Sequence, residues 1–371
     1  MNHYPSNVKE KLNSIILSMA EHHWLFSKNP GHDFTRQHLG KLSFYDTMRL
    51  IISMGKGSTN DEIMDYFDLD PDLIPSQSAF CQRRRQISLS AFEYLFSEFS
   101  SSFPSTTDKF KDHCILACDG CHVVYATNSD IIEDYNKPRL IDYKGYNHMH
   151  LNGFVDVISK AFLDVVIQPG QQPDEREALH SMLDHFTPDD PQKYIITADR
   201  GYESYDLLFH CELKNLGYVF RVKSPSSPKS ILSYYASELP DDLEEFDVTI
   251  KRFFTDKATN IMKSQSDVYR YINPSKNTPH FYELLRKNHS HLYFLQFRVV
   301  KIKTAENTYE YLITNLPFSF TLDDIQECYH WRWGIEISFC YLKHAAGLLY
   351  FHSKQPEFLK QEIYSRLILY N

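Results

Sequence analysis

Residues 114–126, CILACDGCHVVYA, begin the part of the chain whose pattern indicates a β-sheet. Two similar short stretches follow, HMHLNGFVDVIS at 148–159 and AFLDVVIQ at 161–168, with a turn expected near Ser159 and Lys160. Runs of this length, rich in β-branched residues and bounded by turn residues, predict strands. In the first strand Asp119 alternates with apolar residues and therefore faces the same side as Ala117. A carboxylate in a central strand needs an ion-pair partner, hydrogen bonds or a metal ion.

The segments that follow alternate between helical and strand patterns. DEREALHSMLDHF at 174–186 predicts an amphipathic helix, KYIITAD at 193–199 a strand, ESYDLLFHCELKNLG at 203–217 a helix, and YVFRVK at 218–223 a strand. This order predicts an α/β layer with a mixed sheet. Asp199 comes at the end of its strand, and the carboxyl ends of strands are where such sheets place their chemistry.

The rest of the chain divides around this layer. Residues 1–105 predict short helices with tight polar turns, which favours a helix-turn-helix-like DNA-binding domain, with a plain helical bundle as the alternative. The run Arg83–Arg85 is expected to be a solvated face. Residues 112–223 would form the first part of an α/β core, and 224–303 a β-rich insertion. Residues 304–371 would complete the core with a strand and one long helix beginning near Leu322.

Composition sets the class of protein. The chain has 371 residues, of which 42% are hydrophobic and 15% aromatic, enough for two or three folded domains. Its net charge of −9 is unlike that of most nucleic-acid binders. However, residues 214–303 carry 15 Lys and Arg against 9 Asp and Glu, so this part can face a polyanion. No apolar run approaches ~20 residues and the seven cysteines read as free thiols, so we expect a cytoplasmic protein without a membrane partner.

The stretch YHWRWGIEISFCYLKH, residues 329–344, concentrates charged and aromatic side chains. On one continuous helix at ~100° per residue, four polar residues would share a face: Tyr329, Arg332, Glu336 and Lys343. Three apolar residues would form the opposite, docking face: Trp331, Ile335 and Leu342. A carboxylate flanked by two cations and a phenol fits a metal ligand beside phosphate-binding groups. A solvated, salt-bridged helix face is the alternative.

Three motifs occur together and in order: CDG at 118–120, ADRGY at 198–202, and Y-x2-R-x3-E-x6-K at 329–343. With them, the chain resembles the Asp-Asp-Glu (DDE) transposases of bacterial insertion sequences, in the branch named for insertion sequence four, from about residue 40 to the end. The resemblance implies an α/β, ribonuclease H-like (retroviral-integrase-like) catalytic core with a β-rich insertion, preceded by a helical N-terminal domain.

The resemblance also implies roles for individual residues. Asp119, Asp199 and Glu336 would be the catalytic acids and metal ligands, and Tyr329, Arg332 and Lys343 would bind DNA phosphates. Three acids can hold two Mg²⁺ ions about 3.5–4 Å apart, with Mn²⁺ able to substitute.

The implied activity is cut-and-paste transposition of an insertion sequence, by phosphodiester hydrolysis and strand transfer. The partners would be double-stranded DNA, as inverted-repeat ends and target, and a second copy of the chain in a homodimer acting at the bacterial nucleoid. Two alternatives remain: a ribonuclease H-like nuclease without strand transfer, and a non-catalytic DNA-binding remnant of a transposase.

Other features are expected to be structural. Cys118 and Cys121 have the spacing of half a zinc site, but no second pair follows, so they should pack a strand. His148 and His150 share one strand face and should form a polar edge. The chain ends at SRLILYN, residues 365–371, inside a helical pattern, whereas family members continue for tens of residues. This predicts a C-terminally truncated copy.

Overall fold

A ten-stranded sheet runs through the protein between Cys114 and Thr314 in a computed structural model that describes residues 4–35, 41–102, 109–138, 144–257, 259–273 and 278–371. Its strands are β1 Cys114–Tyr125, β2 Tyr135–Asn136, β3 Tyr146–Asp156, β4 Phe162–Pro169, β5 Tyr194–Ala198, β6 Gly217–Val222, β7 Phe246–Thr255, β8 Tyr269–Tyr271, β9 Leu292–Ala305 and β10 Thr308–Thr314.

The central part of the sheet has the strand order β4-β3-β1-β5-β6. Strands β4, β3 and β1 form an antiparallel meander, and β5 and β6 run parallel to β1. Helix α6, Glu175–His185, lies between β4 and β5, and helix α7, Tyr205–Leu213, lies between β5 and β6; five further α-helices precede β1 in the described residues. The predicted order of three strands, helix, strand, helix and strand is confirmed. The predicted turn is also confirmed, because Lys160 between β3 and β4 adopts a left-handed backbone conformation with φ 64°.

The region predicted as an insertion adds to this sheet. Strands β7 and β9 pair with each other, and β9 pairs with β10, which itself pairs with β6. Between β7 and β9 lie α8 at Asn260–Ser264, β8, and α9 at Pro279–Lys287. The region is therefore rich in strands, as expected. Where one domain ends and the next begins stays a prediction.

Side-chain alternation in β1 separates two apolar clusters, one on each face of the sheet. Ile115 and Ala117 belong to the cluster that receives α11, Trp333–His344, and α12, Pro356–Tyr370, which both follow α10, Leu322–His330. Leu116 and Cys118 belong to the opposite cluster, which receives α6, α7 and α9. The two clusters therefore bury both faces of the strand that carries Asp119.

Five helices precede the sheet in the described residues: α1 Tyr4–Glu21, α2 Phe44–Ser53, α3 Thr59–Tyr66, α4 Gln77–Gln86 and α5 Leu89–Ser101. Ser43 and Ser58 begin α2 and α3 with capping boxes, which satisfy the first free backbone N–H groups of each helix. Helices α2 and α5 pack against α12, and all five helices contribute to the apolar cluster that covers one face of β1. A DNA-binding role for them stays a prediction.

Arg84 corrects the expectation of a solvated arginine run. It is only 4% exposed on α4, and its guanidinium donates to the Gln361 side chain, the Glu362 carboxylate and the Phe358 carbonyl of α12, at 3.0, 2.8 and 2.7 Å. The expectation was wrong because the partners lie far away in sequence. Buried charges need such partners.

The helix expected to begin near Leu322 is interrupted. Helix α10, Leu322–His330, is separated from α11 by a turn at Trp331 and Arg332. Here the backbone N–H of Gly334 bonds to the Trp331 carbonyl at 2.9 Å, an i→i+3 bond that tightens the turn. The turn therefore rotates the residues of α10 about the helix axis relative to the residues of α11.

The predicted apolar docking face is therefore only partly confirmed. Ile335 and Leu342 are fully buried as expected, whereas Trp331 is 39% exposed, so its predicted docking role is wrong. The start of α11 also approaches the sheet closely. A Cβ on Gly334 would lie 3.1 Å from Val157, which restricts this position to a residue without a large side chain.

Helix α12 confirms the helical pattern at the end of the sequence. In the part of the chain that the structure describes, no helix combines the length and apolarity needed to cross a membrane.

Candidate active site

Asp119 and Asp199 lie next to each other at one end of the sheet. Strands β1 and β5 are parallel and pair Cys118 with Ala198, so Asp119 and Asp199 each follow a residue of this pair, Asp119 within β1 and Asp199 just after the end of β5. Paired strands lie about 4.8 Å apart. The Asp199 carboxylate accepts the backbone N–H of Gly201 at 2.6 Å, which starts the 3₁₀ turn after β5. The parallel pairing thus brings together two acids that are distant in sequence.

Arg332 connects Asp119 to Glu336. Its Nη1 lies 3.2 Å from Asp119 Oδ2 and its Nη2 lies 3.0 Å from Glu336 Oε1. The guanidinium is held in the turn between α10 and α11 and is 6% exposed, whereas the Glu336 side chain is 42% exposed. The turn that interrupts the predicted helix therefore places a cation between two of the three predicted acids.

The electrostatics of Asp119 show that Arg332 does not fully neutralise this site. Burial raises the pKa of Asp119 to about 6, and the charges of Asp199 and Glu336 act in the same direction. The Gly120 backbone N–H and the Arg332 guanidinium oppose the rise. A proton or a cation is therefore favoured beside Asp119.

The donor set fits divalent cations. Hard cations prefer carboxylate oxygens. Among the described residues Asp199 Oδ2 and Glu336 Oε2 accept no hydrogen bond, so both are free to coordinate. Within the described residues, the carboxylate oxygens of the three acids do not all lie within 4.8 Å of one another. The guanidinium of Arg332 occupies the space between Asp119 and Glu336. Two ions about 3.5–4 Å apart require carboxylates that are spaced more widely than the ligands of a single ion.

Glu175 is a carboxylate that the sequence pattern did not single out. It begins α6, and its Oε1 lies 3.2 Å from His150 Nε2. A Cβ placed on Gly201 would lie 3.4 Å from Glu175 Oε2 and 2.9 Å from Asp199 Oδ1, so the two carboxylates flank one point. Acidic residues are common in the first turn of helices, where they complement the helix dipole. The sequence pattern therefore offered no reason to expect Glu175 beside Asp199.

The two remaining signature residues are placed differently from each other. Tyr329 is 5% exposed and its hydroxyl has no hydrogen-bond partner within the described residues. Burial raises the pKa of Tyr329, and the neighbouring Arg332 opposes this. Lys343 lies beside the Cys121 thiol on β1, and its charge opposes the effect of burial, which raises the pKa of Cys121 to about 12. The four polar residues therefore do not form one solvated line.

Two minor expectations have opposite outcomes. Cys118 is buried in one apolar cluster and Cys121 packs against the other, and both are free thiols, as expected for cysteines that pack a strand. His148 and His150 are 3% and 4% exposed. The expected polar edge is wrong, because β3 pairs with strands on both sides.

Among solved structures, the chain is similar to the cryo-EM structure of the piggyBac transposase synaptic complex with hairpin DNA, with 10% identity and a TM-score of 0.44. The similarity covers 87% of this chain and 63% of that one, so this chain spans less than two thirds of the other's length. No curated protein matches the chain. The family model described as the transposase DDE domain matches residues 110–371, more than half of the chain, and the protein therefore belongs to this family of DDE transposases.

Proposed function

We propose that this protein carries out cut-and-paste transposition of an insertion sequence, with Asp119, Asp199 and Glu336 as the catalytic acids. The observation that carries the proposal is their placement: Asp119 and Asp199 follow paired residues of parallel strands, and Arg332 links Asp119 to Glu336. The strand order β4-β3-β1-β5-β6 supports a ribonuclease H-like core. The Y-x2-R-x3-E-x6-K spacing supports membership in the insertion-sequence-four branch.

The acids would hold two Mg²⁺ ions, with Mn²⁺ able to substitute. Bound there, the ions would activate a water or 3′-hydroxyl and stabilise the leaving 3′-oxygen. The protein's own part is to hold the carboxylates on separate elements: β1, the end of β5, and α11. Glu175 adds a further carboxylate beside Asp199, and we assign it a positioning role. Arg332 limits the repulsion between Asp119 and Glu336.

Double-stranded DNA is the proposed partner, as element ends and as target, with a homodimer as the active form. Two donors support phosphate binding near Glu336. The Tyr329 hydroxyl and Arg332 Nε are both buried and have no hydrogen-bond partner within the described ranges. A buried donor without a partner is costly, and a phosphate oxygen would satisfy it. Lys343 would add a charge on the same side of β1.

Arg332 permits a direct test of phosphate binding. We expect Arg332→Ala to weaken DNA binding and to reduce the slope of log K against log salt by about one unit, since one phosphate contact is lost. The measurement is fluorescence anisotropy with labelled duplex DNA over a series of salt concentrations. Arg332→Lys keeps the charge and serves as the control, with a slope close to that of the wild type. An unchanged slope in Arg332→Ala would leave Arg332 only as the ion-pair partner of Asp119 and Glu336.

A cleavage assay separates the proposal from its two alternatives. The substrate is supercoiled DNA carrying the sequences that flank the gene, compared with the same plasmid lacking them, in Mg²⁺ and in Mn²⁺. We expect cleavage that requires a divalent ion and paired flanking ends, followed by joining to a second DNA. Cleavage without preference for the ends would indicate the nuclease. Tight binding to the ends without cleavage by the wild type would indicate the remnant.

A further inference from the structure

Three helices on the sheet face opposite Arg332 bring together histidines that the proposed function does not use. His180 lies on α6, His210 on α7 and His280 in the first turn of α9. One ring nitrogen from each lies within 4.8 Å of the others, and His210 is only 1% exposed. Their helices pack in one apolar cluster, so they are held together by burial around them.

Each of these rings has a carboxylate within 4 Å, and the longest contact joins His180 Nε2 to Asp206 Oδ2 at 3.6 Å. His280 Nδ1 lies 2.7 Å from Asp206 Oδ2, and His210 Nε2 lies 3.2 Å from Asp184 Oδ1. In a neutral imidazole, the N–H that donates to a carboxylate leaves the lone pair on the other nitrogen, which is Nε2 in His280 and Nδ1 in His210. Histidine ligands of metal ions commonly donate their second N–H to a carboxylate in this way.

Asp206 is itself fixed. It is 2% exposed, and its Oδ1 accepts the backbone N–H groups of His280 and Phe281 at 3.1 and 3.3 Å. It therefore caps the beginning of α9 while orienting the His280 ring. Asp206 also precedes His210 by one helical turn on α7, so a single helix supplies one ligand and the carboxylate behind another.

A hydrogen bond joins two of the histidines directly. His180 Nδ1 lies 2.9 Å from His210 Nδ1, and a bound ion would replace this hydrogen bond with the roughly 3.3 Å that separates neighbouring ligands of a tetrahedral zinc ion. The three rings are nearly parallel, with interplanar angles of 10° to 18°, so an ion requires them to tilt. His180 and His280 are partly buried, whereas His210 is fully buried, so the tilt falls mainly on the ring of His180, which Asp206 holds less closely than it holds His280. Burial also lowers the pKa of His180 to about 4, which keeps its ring neutral.

We propose that His180, His210 and His280 bind a transition-metal ion of the zinc class, with Asp206 and Asp184 orienting two of the rings. Imidazole ligands favour Zn²⁺ over Mg²⁺, whereas carboxylates favour Mg²⁺. The protein would therefore hold two kinds of ion at separate sites. The ion bound by histidines would fasten α9, from the region 224–303, to α6 and α7 of the core. This proposal does not depend on the proposed function.

The test is metal binding by the full-length chain after dialysis against a chelator. We expect one equivalent of Zn²⁺ to bind in a titration calorimeter in the presence of millimolar Mg²⁺, and the melting temperature to rise by several degrees. Co²⁺ in place of Zn²⁺ should give a visible absorption spectrum typical of tetrahedral nitrogen ligation. Glu336→Gln should bind Zn²⁺ as the wild type does, because Glu336 belongs to the other site.

A matched pair of variants locates the ion. His280→Asn removes a ligand but can still donate to Asp206, and we expect it to lose at least tenfold in Zn²⁺ affinity. His185→Asn is the control with unchanged affinity, since His185 lies on the same helix as His180, contacts its own carboxylate, Asp164, at 2.9 Å, and has a 69% exposed side chain.

A third measurement covers the case in which His280→Asn does not fold. Zn²⁺ should then protect the two partly exposed histidines of the wild type, His180 and His280, and not His185, from diethylpyrocarbonate, as read by mass spectrometry. Failure of the folded wild type to bind Zn²⁺, equal affinity of His280→Asn and wild type, or absence of this protection would overturn the proposal and leave a neutral stack of histidines.

Discussion

Glu336→Gln is expected to reduce metal-dependent DNA cleavage by at least about a hundredfold, since each tenfold loss corresponds to only 1.4 kcal/mol of transition-state stabilisation. Glutamine retains the volume of the side chain and an oxygen that can accept from Arg332 Nη2, which lies 3.0 Å from Glu336 Oε1. It removes the negative charge that would help to hold a divalent ion. DNA binding should persist or tighten slightly, because one negative charge near the phosphates is lost.

The fold should tolerate this change. Helix α11 is anchored by Ile335 and Leu342, both fully buried, whereas the Glu336 side chain is 42% exposed. The measurement is nicking of supercoiled DNA by wild type and variant side by side, in Mg²⁺ and in Mn²⁺. Glu327→Gln, an exposed glutamate on α10, is the matched control and should cleave normally. Equal cleavage by Glu336→Gln and the wild type would remove Glu336 from the mechanism.

Arg84→Met is expected to lower the free energy of unfolding by about 3–5 kcal/mol, because it leaves a buried carboxylate without its cation. The side chains of Arg84 and Glu362 are 5% and 1% exposed, and they lie 2.8 Å apart. Burial acts to raise the pKa of Glu362, yet hydrogen bonds from His352 and the charge of Arg84 hold it below its ordinary value. Glu362 is therefore charged in the folded protein, and Arg84→Met removes one of the groups that keep it so.

Chemical denaturation of three variants measures this effect. Arg85→Met removes the exposed neighbour on the same helix and should change the stability little. The double variant Arg84→Met with Glu362→Leu should be less destabilised than Arg84→Met alone, because no charge is left buried. If Arg84→Met were as stable as Arg85→Met, the ion pair would not hold α4 to α12.

Local patterns were enough for the central strands of the sheet and for the positions of Asp119 and Asp199. Alternation in residues 114–126 placed Asp119 on the face of Ile115 and Ala117, and the structure has both apolar residues in one cluster. The strand pattern before Asp199 placed this residue at a carboxyl end, where β5 does stop. Both inferences rest on the two-residue period of a strand, which depends only on the chain's own neighbours.

Helical periodicity was less reliable around Glu336. A regular helix from Leu322 would place Tyr329 and Arg332 in solvent beside Glu336. The turn at Trp331 and Arg332 instead buries them at 5% and 6% exposure. A change from i→i+4 to i→i+3 bonding over one turn alters the face of every later residue. The four signature residues keep their spacing in the sequence, but Tyr329 and Arg332 are buried and not exposed.

Residues that are close in sequence thus determine the order of strands and helices, the positions of Asp119 and Asp199, and the helix at the end of the chain. They do so because side-chain periodicity and helix capping act between near neighbours. Contacts between remote segments are not determined in this way. Arg84 becomes buried because α12 supplies its partners, and Glu175 reaches Asp199 because α6 starts beside the end of β5. His280 meets His180 and His210 only when α9 docks on the core. Each of these depends on packing that sets distance and burial, which no local period encodes.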